Sequence, residues 1–527
     1  MRTPHPVLLA AVVLLLAAAT APIAAGESDI LVLTSAELEP GLARWKKHRE
    51  AQGHRVSVAL LAHAVASDAA RRTQETLLER IRKERPRVVL IAGNVAHVPA
   101  FAFTSARLGK TCESDQPWGL PDPATGMPAL QVGRIPAADP PALEAALAKV
   151  IRYETTFTPG EARNTIHFLG SPAGFGPAVD ATIEAVATRL LARELDQHYH
   201  LEVLYASPSS PFFLPQAEFP ARTRAAFEAG PLLVVFAGHG NARSFAHIRH
   251  RGISRYFGVE DTAGLRCRSH SLFFSITCLT GDFEHADRPG LCAQLMLEPG
   301  GPAATFGSSE ISEPLANLLI DQALLAQVAN ARHPTLGDAL AALRADFQER
   351  TSSIGSLVDR WMQGKTDEAA LKEHHQHLYN LFGDPAMRLR FPRQNLELAA
   401  RREGAALVLE GTSPTVREGT ALIRYEVDRG KLMGRLEPHA DKPPAEAARI
   451  LRKNHEIASN KTLFRHEVPI RNGTFRLALD HAAATPRRIA GRPQWEFFFR
   501  VYAWNEHEDA VGSLRYEPAD EPKPPAQ

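Results

Sequence analysis

The chain has 527 residues, 44% hydrophobic and 23% charged, enough to bury a sizeable core divided among about two to four domains. Sixty Lys and Arg stand against 59 Asp and Glu, so no whole-chain field recruits nucleic acid or an anionic membrane. Four cysteines, Cys112, Cys267, Cys278 and Cys292, are too few to form a disulfide scaffold in so long a chain.

The first residues read as an export signal. Arg2 gives a short basic start, the apolar run from Val7 to Ala19 is too short to span a bilayer comfortably, and small residues permit cleavage near Ala25. Residues 1–25 are therefore assigned to a signal peptide, and the mature chain is expected to be secreted or periplasmic, without stable membrane insertion. Strand and helix then alternate. The runs DILVLT, HRVSVALL and RVVLIAGN read as strands separated by amphipathic segments, and ALQVGRIPA leads into a long helix over PPALEAALAKVIRYETTF. Such alternation implies a parallel sheet covered on both faces. A second round opens at NTIHFLGSP and continues through HLEVLYAS, LLVVFAG, SLFFSITC and PAATFGSS. Two α/β sheets in succession are expected, over residues 26–160 and 161–393. From about Leu396 short alternating strands such as ALVLEG, TALIRYEV and QWEFFFRVYAW read as a small β-sandwich over 394–517, ahead of a disordered tail at 518–527.

Two strand ends carry chemistry. The buried run PLLVVFAG stops at His239 between Gly238 and Gly240, residues that let the backbone turn and another group approach. The next apolar run, SLFFSITC, stops at Cys278. Ligands of an open parallel sheet bind beyond the carboxyl ends of its strands, so both side chains are expected to face one cleft. A cysteine beside a histidine can act as a thiolate nucleophile while the imidazole protonates the leaving group. The N–H groups of Gly240 and Cys278 can then stabilise the oxyanion of the attacked carbonyl. Taken singly, Cys278 reads as a buried thiol and His239 as a turn residue; together they favour acyl transfer.

At these residues the chain resembles the gingipain-type cysteine peptidases, relatives of the caspases. FAGHGN and SITCLTGDF are similar to that family's histidine-glycine and cysteine motifs, and DQPWG, QVGRIPAADPPALEAALAKVIRYE and YNLFGDPAM stand where it has similar segments. The resemblance covers roughly Asp29 to Arg390. It implies a caspase-like α/β fold of two consecutive subdomains with mainly parallel sheets, followed by a C-terminal immunoglobulin-like β-sandwich. It also implies an endopeptidase acting on protein or peptide substrates through Cys278 as nucleophile and His239 as general acid/base, with Gly240 and Cys278 as the oxyanion hole and no cofactor at the chemical step. The same dyad with an amine acceptor would make a sortase-like transpeptidase, and the fold without its chemistry would make a binding protein. Two departures stand out. GSPAGFGPAVD lacks the acidic residue that gingipains carry after the first strand of the second subdomain, with no carboxylate before Asp180. The family's long prodomain has no counterpart between the signal and the first strand.

Further residues have weaker signals. Asp180 can support the site, set specificity, or simply favour a helix dipole. Asp282 and Glu284 flank the nucleophile and, as hard oxygen donors, can shape a subsite or hold a structural calcium. The imidazole-rich EHHQH, Glu373 to His377, is expected on a solvated helix face rather than at a metal. Asp115 is expected in a turn near the junction of the subdomains. Gly383-Asp384-Pro385 is expected to turn the chain into a last strand.

Overall fold

The computed structural model describes residues 29–61, 67–122, 126–174, 176, 180, 184–185, 188, 191–351, 367–480 and 495–516. The signal-peptide and tail assignments lie outside them. Among the described residues no helix is long and apolar enough to cross a membrane.

The first half contains β1 (Ile30–Ser35), β2 (Val56–Leu61), β3 (Val88–Ala92) and β4 (Gln131–Ile135), with helices α1 (Ala43–Ala51), α2 (Ser67–Glu84) and α3 (Pro140–Thr155). Every residue of β1 and β3 is buried, as befits parallel strands covered on both faces. The second half contains β5 (Thr165–Gly170), β6 (His200–Tyr205), β7 (Leu233–Ala237), β8 (Leu272–Ile276) and β9 (Ala304–Ser308). Its helices are α4 (Phe219–Glu228), α5 (Leu291–Leu297), α6 (Pro314–Leu324), α7 (Leu336–Glu349) and α8 (Glu368–Leu378), and α8 runs directly into β10 (Tyr379–Phe382).

The two α/β halves follow one another as expected, but they share one ten-stranded sheet of order β2-β1-β3-β4-β10-β9-β8-β7-β5-β6. β10 makes the join. It lies antiparallel to β9 from Thr305–Phe382 to Ser308–Tyr379, and meets β4 in parallel at Phe382–Arg134. The strands of the two halves therefore run in opposite directions across the join. Without β10, both β4 and β9 would be edges with unpaired backbone groups, which is the physical reason for the merger. Gly133 permits the close approach, since a Cβ there would lie 2.5 Å from the Gly383 carbonyl oxygen.

Gly383-Asp384-Pro385 turns the chain out of β10, not into a final strand, and Asp384 is fully buried. Its Oδ2 accepts hydrogen bonds from Trp45 Nε1 at 2.6 Å and from Arg49 Nη2 at 2.6 Å. Arg49 also donates to Glu154 Oε1 on α3 at 2.7 Å, so one buried guanidinium ties α1, α3 and this turn together. Apart from exposed Glu373, the EHHQH segment is likewise not a solvated face. His374 and His375 are each only 1% exposed, and His377 stacks on Phe103 with ring centroids 3.7 Å apart. The polar letters mislead because α8 is covered on one side by the hairpin Phe101–Ser105 and Lys110–Ser114, and on the other by α6 and α7.

Beyond residue 392 a five-stranded and a three-stranded sheet, mainly antiparallel, pack over one core that includes Leu407, Leu409, Ile423, Tyr425, Phe499 and Val501. The sequence reading gave this region strands alone, whereas helix α9 (Pro444–Ser459) is inserted between two of them. Its Ala458 packs with Tyr205 and Phe212, and Arg429 donates to the carbonyls of Leu195, Asp196 and Tyr199. The unit thus docks on the edge of the sheet formed by β6.

Arg49→Ala leaves Glu154 and Asp384 buried without their shared cation. Removing one partner of a buried ion pair costs about 3–5 kcal/mol. Denaturant unfolding of this variant should show a loss of that order; an unchanged midpoint would exclude the clamp as a stabilising element.

Candidate active site

β7 and β8 pair in parallel with Leu233 beside Leu272 and Ala237 beside Ile276. Gly238 and Thr277, then His239 and Cys278, follow the two strands at equal offsets. Gly238 N still donates to Ile276 O at 3.4 Å, so the strands have not diverged at this point.

The glycines around His239 each answer to a neighbour. Gly238 has φ of 153°, and a Cβ there would lie 2.2 Å from Ser171 Oγ. That proximity lets His239 N donate to Ser171 Oγ at 3.0 Å. The His239 side chain is exposed and its Nε2 lies 2.7 Å from the Ala173 carbonyl oxygen. A carbonyl only accepts, so Nε2 carries the hydrogen and Nδ1 keeps its lone pair. Gly240 has no room for a side chain either, since a Cβ would lie 2.9 Å from the Cys278 carbonyl oxygen. Ala246 N donates to His239 O, which makes Gly240–Phe245 a pair that exchanges no hydrogen bonds and leaves the Gly240 N–H outside the hairpin ladder.

All four cysteines are free, and they differ in environment. Burial, as the main cause, pushes the thiols of Cys112, Cys267 and Cys292 up to about 12, so they stay protonated and inert. Cys278 alone is partly exposed. Its Sγ lies 3.6 Å from Ser312 O and 3.7 Å from Ser312 Oγ. The chain turns sharply just after it: Leu279 has φ of 61° and Thr280 N donates to Cys278 O at 2.8 Å, closing a γ-turn. Leu279 N is held by Glu310 O and Ser308 Oγ, both at 3.1 Å, so the turn is pinned to the loop after β9.

The remaining sequence candidates separate into two groups. Asp282 Oδ1 accepts from Glu284 N at 3.0 Å within the loop that follows the turn. Burial, and then the charges of Glu284, Asp282 and Glu310, raise the Glu113 carboxyl above its ordinary value, so these four acids share one region. Asp180 lies elsewhere. Asp180 is helical, with its N–H on Gly176 O, and its charge acts on Tyr205 at the end of β6, two strands from β7. Asp115 starts a turn beside the join, where Asn380 Oδ1 accepts from its N–H at 2.9 Å. It does more than turn the chain: its carboxylate binds buried Arg134 at 2.6 and 2.7 Å, and that guanidinium sits 5.3 Å from the ring centroid of Phe283 in the cysteine loop.

The sequence reading missed four contributors. The Ala173 carbonyl occupies the place where an acidic residue was sought, and a backbone atom has no sequence signal. Ser171 and Ser312 were visible only as small polar residues after strands. The buried His375 supports Ser312's loop, with Nε2 accepting from Glu313 N at 2.9 Å and Nδ1 donating to Leu371 O at 2.7 Å.

A partly exposed thiol and an imidazole of one tautomer, at adjacent carboxyl ends of a parallel sheet, belong with the caspase-like cysteine peptidases. The family model for peptidase family C25 matches residues 23–390, and the chain belongs to that family, the gingipain family, as its motifs implied. It is a cysteine-type peptidase. Solved structures share the fold. Gingipain R, an Arg-specific cysteine proteinase, is 16% identical with a TM-score of 0.53, over 93% of this chain and 98% of that one. The complex of Porphyromonas gingivalis RgpB pro- and mature domains is 16% identical with a TM-score of 0.51, over 92% and 99% of the two chains. No curated protein matches the sequence.

Burial also holds several imidazoles neutral: His198 and His375 fall to about 3, and His270 and His377 to about 4. Below pH ~6.5 the unfolded chain binds protons at these positions that the folded chain refuses, so stability drops as pH falls from 6.5 toward 3–4. Each histidine contributes at most ~1.4 kcal/mol per pH unit in that window. Melting temperatures measured between pH 7 and 4.5 should decline steadily; a rise on acidification would contradict the neutral assignment.

Proposed function

We infer that the protein is an exported endopeptidase that cleaves peptide bonds through Cys278 and His239. The observation that supports this reading is the β7–β8 register, whose last paired residues, Ala237 and Ile276, each stand two positions before His239 and Cys278. The Cys278 thiol passes its proton to the free Nδ1 of His239, and the thiolate forms a C–S bond to the scissile carbonyl. The oxyanion is received by the N–H groups of Gly240 and Cys278. His239 Nδ1–H then protonates the amine as the C–N bond breaks, and water hydrolyses the thioester with Nδ1 as base. Throughout, Nε2–H stays on the Ala173 carbonyl, which favours the imidazolium without a carboxylate. Export rests on the N-terminal signal pattern, and the C-terminal sheets act as an immunoglobulin-like supporting module without catalytic groups.

The carboxylates Glu113, Asp282, Glu284 and Glu310 beside the cysteine turn support a cationic side chain in the substrate, as gingipain R is Arg-specific. Grouped carboxylates of one sign raise the local concentration of cationic side chains and repel anionic ones.

Cys278→Ala should reduce hydrolysis of a fluorogenic peptide to background, and His239→Ala should lower kcat/KM by about 10²–10⁴-fold, both with wild-type circular dichroism. Wild-type turnover by Cys278→Ala would sink the assignment. In a peptide library read by mass spectrometry, cuts should follow Arg or Lys with kcat/KM at least about tenfold above those after Ala or Glu. Cleavage indifferent to charge would remove the acidic residues from substrate recognition.

A further inference from the structure

The acyl-transfer scheme leaves one neighbour of the nucleophile unused. Ser312 is buried and stands against the Cys278 sulfur through two atoms, its carbonyl oxygen at 3.6 Å and its Oγ at 3.7 Å. Behind it runs a line of hydrogen bonds. Asn317 Nδ2 on α6 donates to Ser312 Oγ at 2.8 Å, and Tyr379 O–H at the start of β10 donates to Asn317 Oδ1 at 2.7 Å. A hydroxyl has one hydrogen and two lone pairs. With Asn317 holding one lone pair, the Ser312 hydrogen has two acceptors within reach, the Cys278 sulfur and the Tyr379 phenol oxygen.

We propose that Ser312 is a positioning residue for the nucleophile: its hydroxyl donates to the Cys278 thiolate, in a direction fixed by Asn317 and Tyr379. The inference rests on the reading of Cys278 as the nucleophile. In the thiol state S–H donates to Ser312 O, and once the proton has left, the Ser312 O–H turns to the sulfur. One residue thus satisfies both protonation states without backbone movement.

The frame around it is rigid. Tyr379 is 1% exposed, stacks on Phe306 with centroids 5.3 Å apart, and burial keeps its phenol protonated as a donor. Ser312's loop is fastened on both sides, by Ser308 Oγ donating to Glu310 O and by Glu313 N donating to His375 Nε2. The titratable groups on the elements around the sulfur include His239 after the neighbouring strand, Glu310 and Glu313 in Ser312's own loop, with Glu313 paired to Lys110, Asp282 and Glu284 after the turn, Glu113 on the hairpin, and Asp321 on α6, whose charge acts on Tyr379. All of them are retained in the variants below, so a change in thiol behaviour reports the hydroxyl.

The test is alkylation of Cys278 by iodoacetamide in the full chain, followed by peptide mass spectrometry across pH 5 to 10, on the wild type, Ser312→Ala and Tyr379→Phe. Loss of a hydrogen bond to a charged sulfur should move the alkylation midpoint up by about one pH unit in Ser312→Ala, and by a smaller step in Tyr379→Phe. For peptide hydrolysis kcat should fall about tenfold in Ser312→Ala with KM changing less. A merely structural role would lower the melting temperature and leave the midpoint in place, and that result overturns the proposal. If Ser312→Ala does not fold, Tyr379→Phe, which keeps the stacked ring, decides by the same midpoint. Alkylation reads the contact itself, whereas Cys278→Ala hydrolysis reads the nucleophile, so failure of one is distinguishable from failure of the other.

Discussion

The catalytic half depends on the insertion of four residues, Tyr379 to Phe382, between two sheets that would otherwise end in open edges. All four are buried. β10 gives β9 an antiparallel partner and β4 a parallel one, so the backbone groups of both find bonds in the interior. The strand also transmits position. At its end, Asp384 closes on Arg49 and Trp45 of α1. In its middle, Asn380 receives the Asp115 N–H and gives its amide to the Leu378 carbonyl. At its start, Tyr379 reaches through Asn317 toward the serine that touches the cysteine.

The site is consequently built by backbone geometry more than by side-chain charge. Histidine and cysteine follow β7 and β8 at equal offsets, a γ-turn directs the chain away after the sulfur, and a carbonyl holds the imidazole Nε2. Glycine serves where a Cβ would collide, at Gly238 against Ser171 and at Gly240 against the Cys278 carbonyl. Such a site can dispense with a third charged member, because the hydrogen bond from Nε2 already orients the ring.

Legibility in the sequence followed burial pattern and side-chain chemistry. β1, β3, β7 and β8 were readable because strands buried on both faces are continuous apolar runs. His239 and Cys278 were readable because each ends such a run. α8 was not, since the four residues after Glu373 in EHHQH are polar by letter and buried in fact, with His375 bonded to Leu371 O and His377 stacked on Phe103. The helix α9 was missed because its segment lies between strands whose alternation dominated the reading, and Asp180 was singled out only because a carboxylate was sought where a carbonyl stands.

By itself the sequence determined the α/β class, the order of the elements, the two strand ends that carry the thiol and imidazole, and the family motifs, because these are properties of local periodicity and of neighbouring residues. Only the tertiary structure decided that the halves form one sheet, that Ala173 holds His239, that Asp115 and Asp384 serve buried arginines, and that Ser312 backs the nucleophile. Those contacts join residues 19 to 335 positions apart, through backbone atoms and polar side chains that satisfy buried hydrogen-bonding groups. Local sequence has no way to specify such partners; they are chosen when the chain closes and each buried donor must find its acceptor.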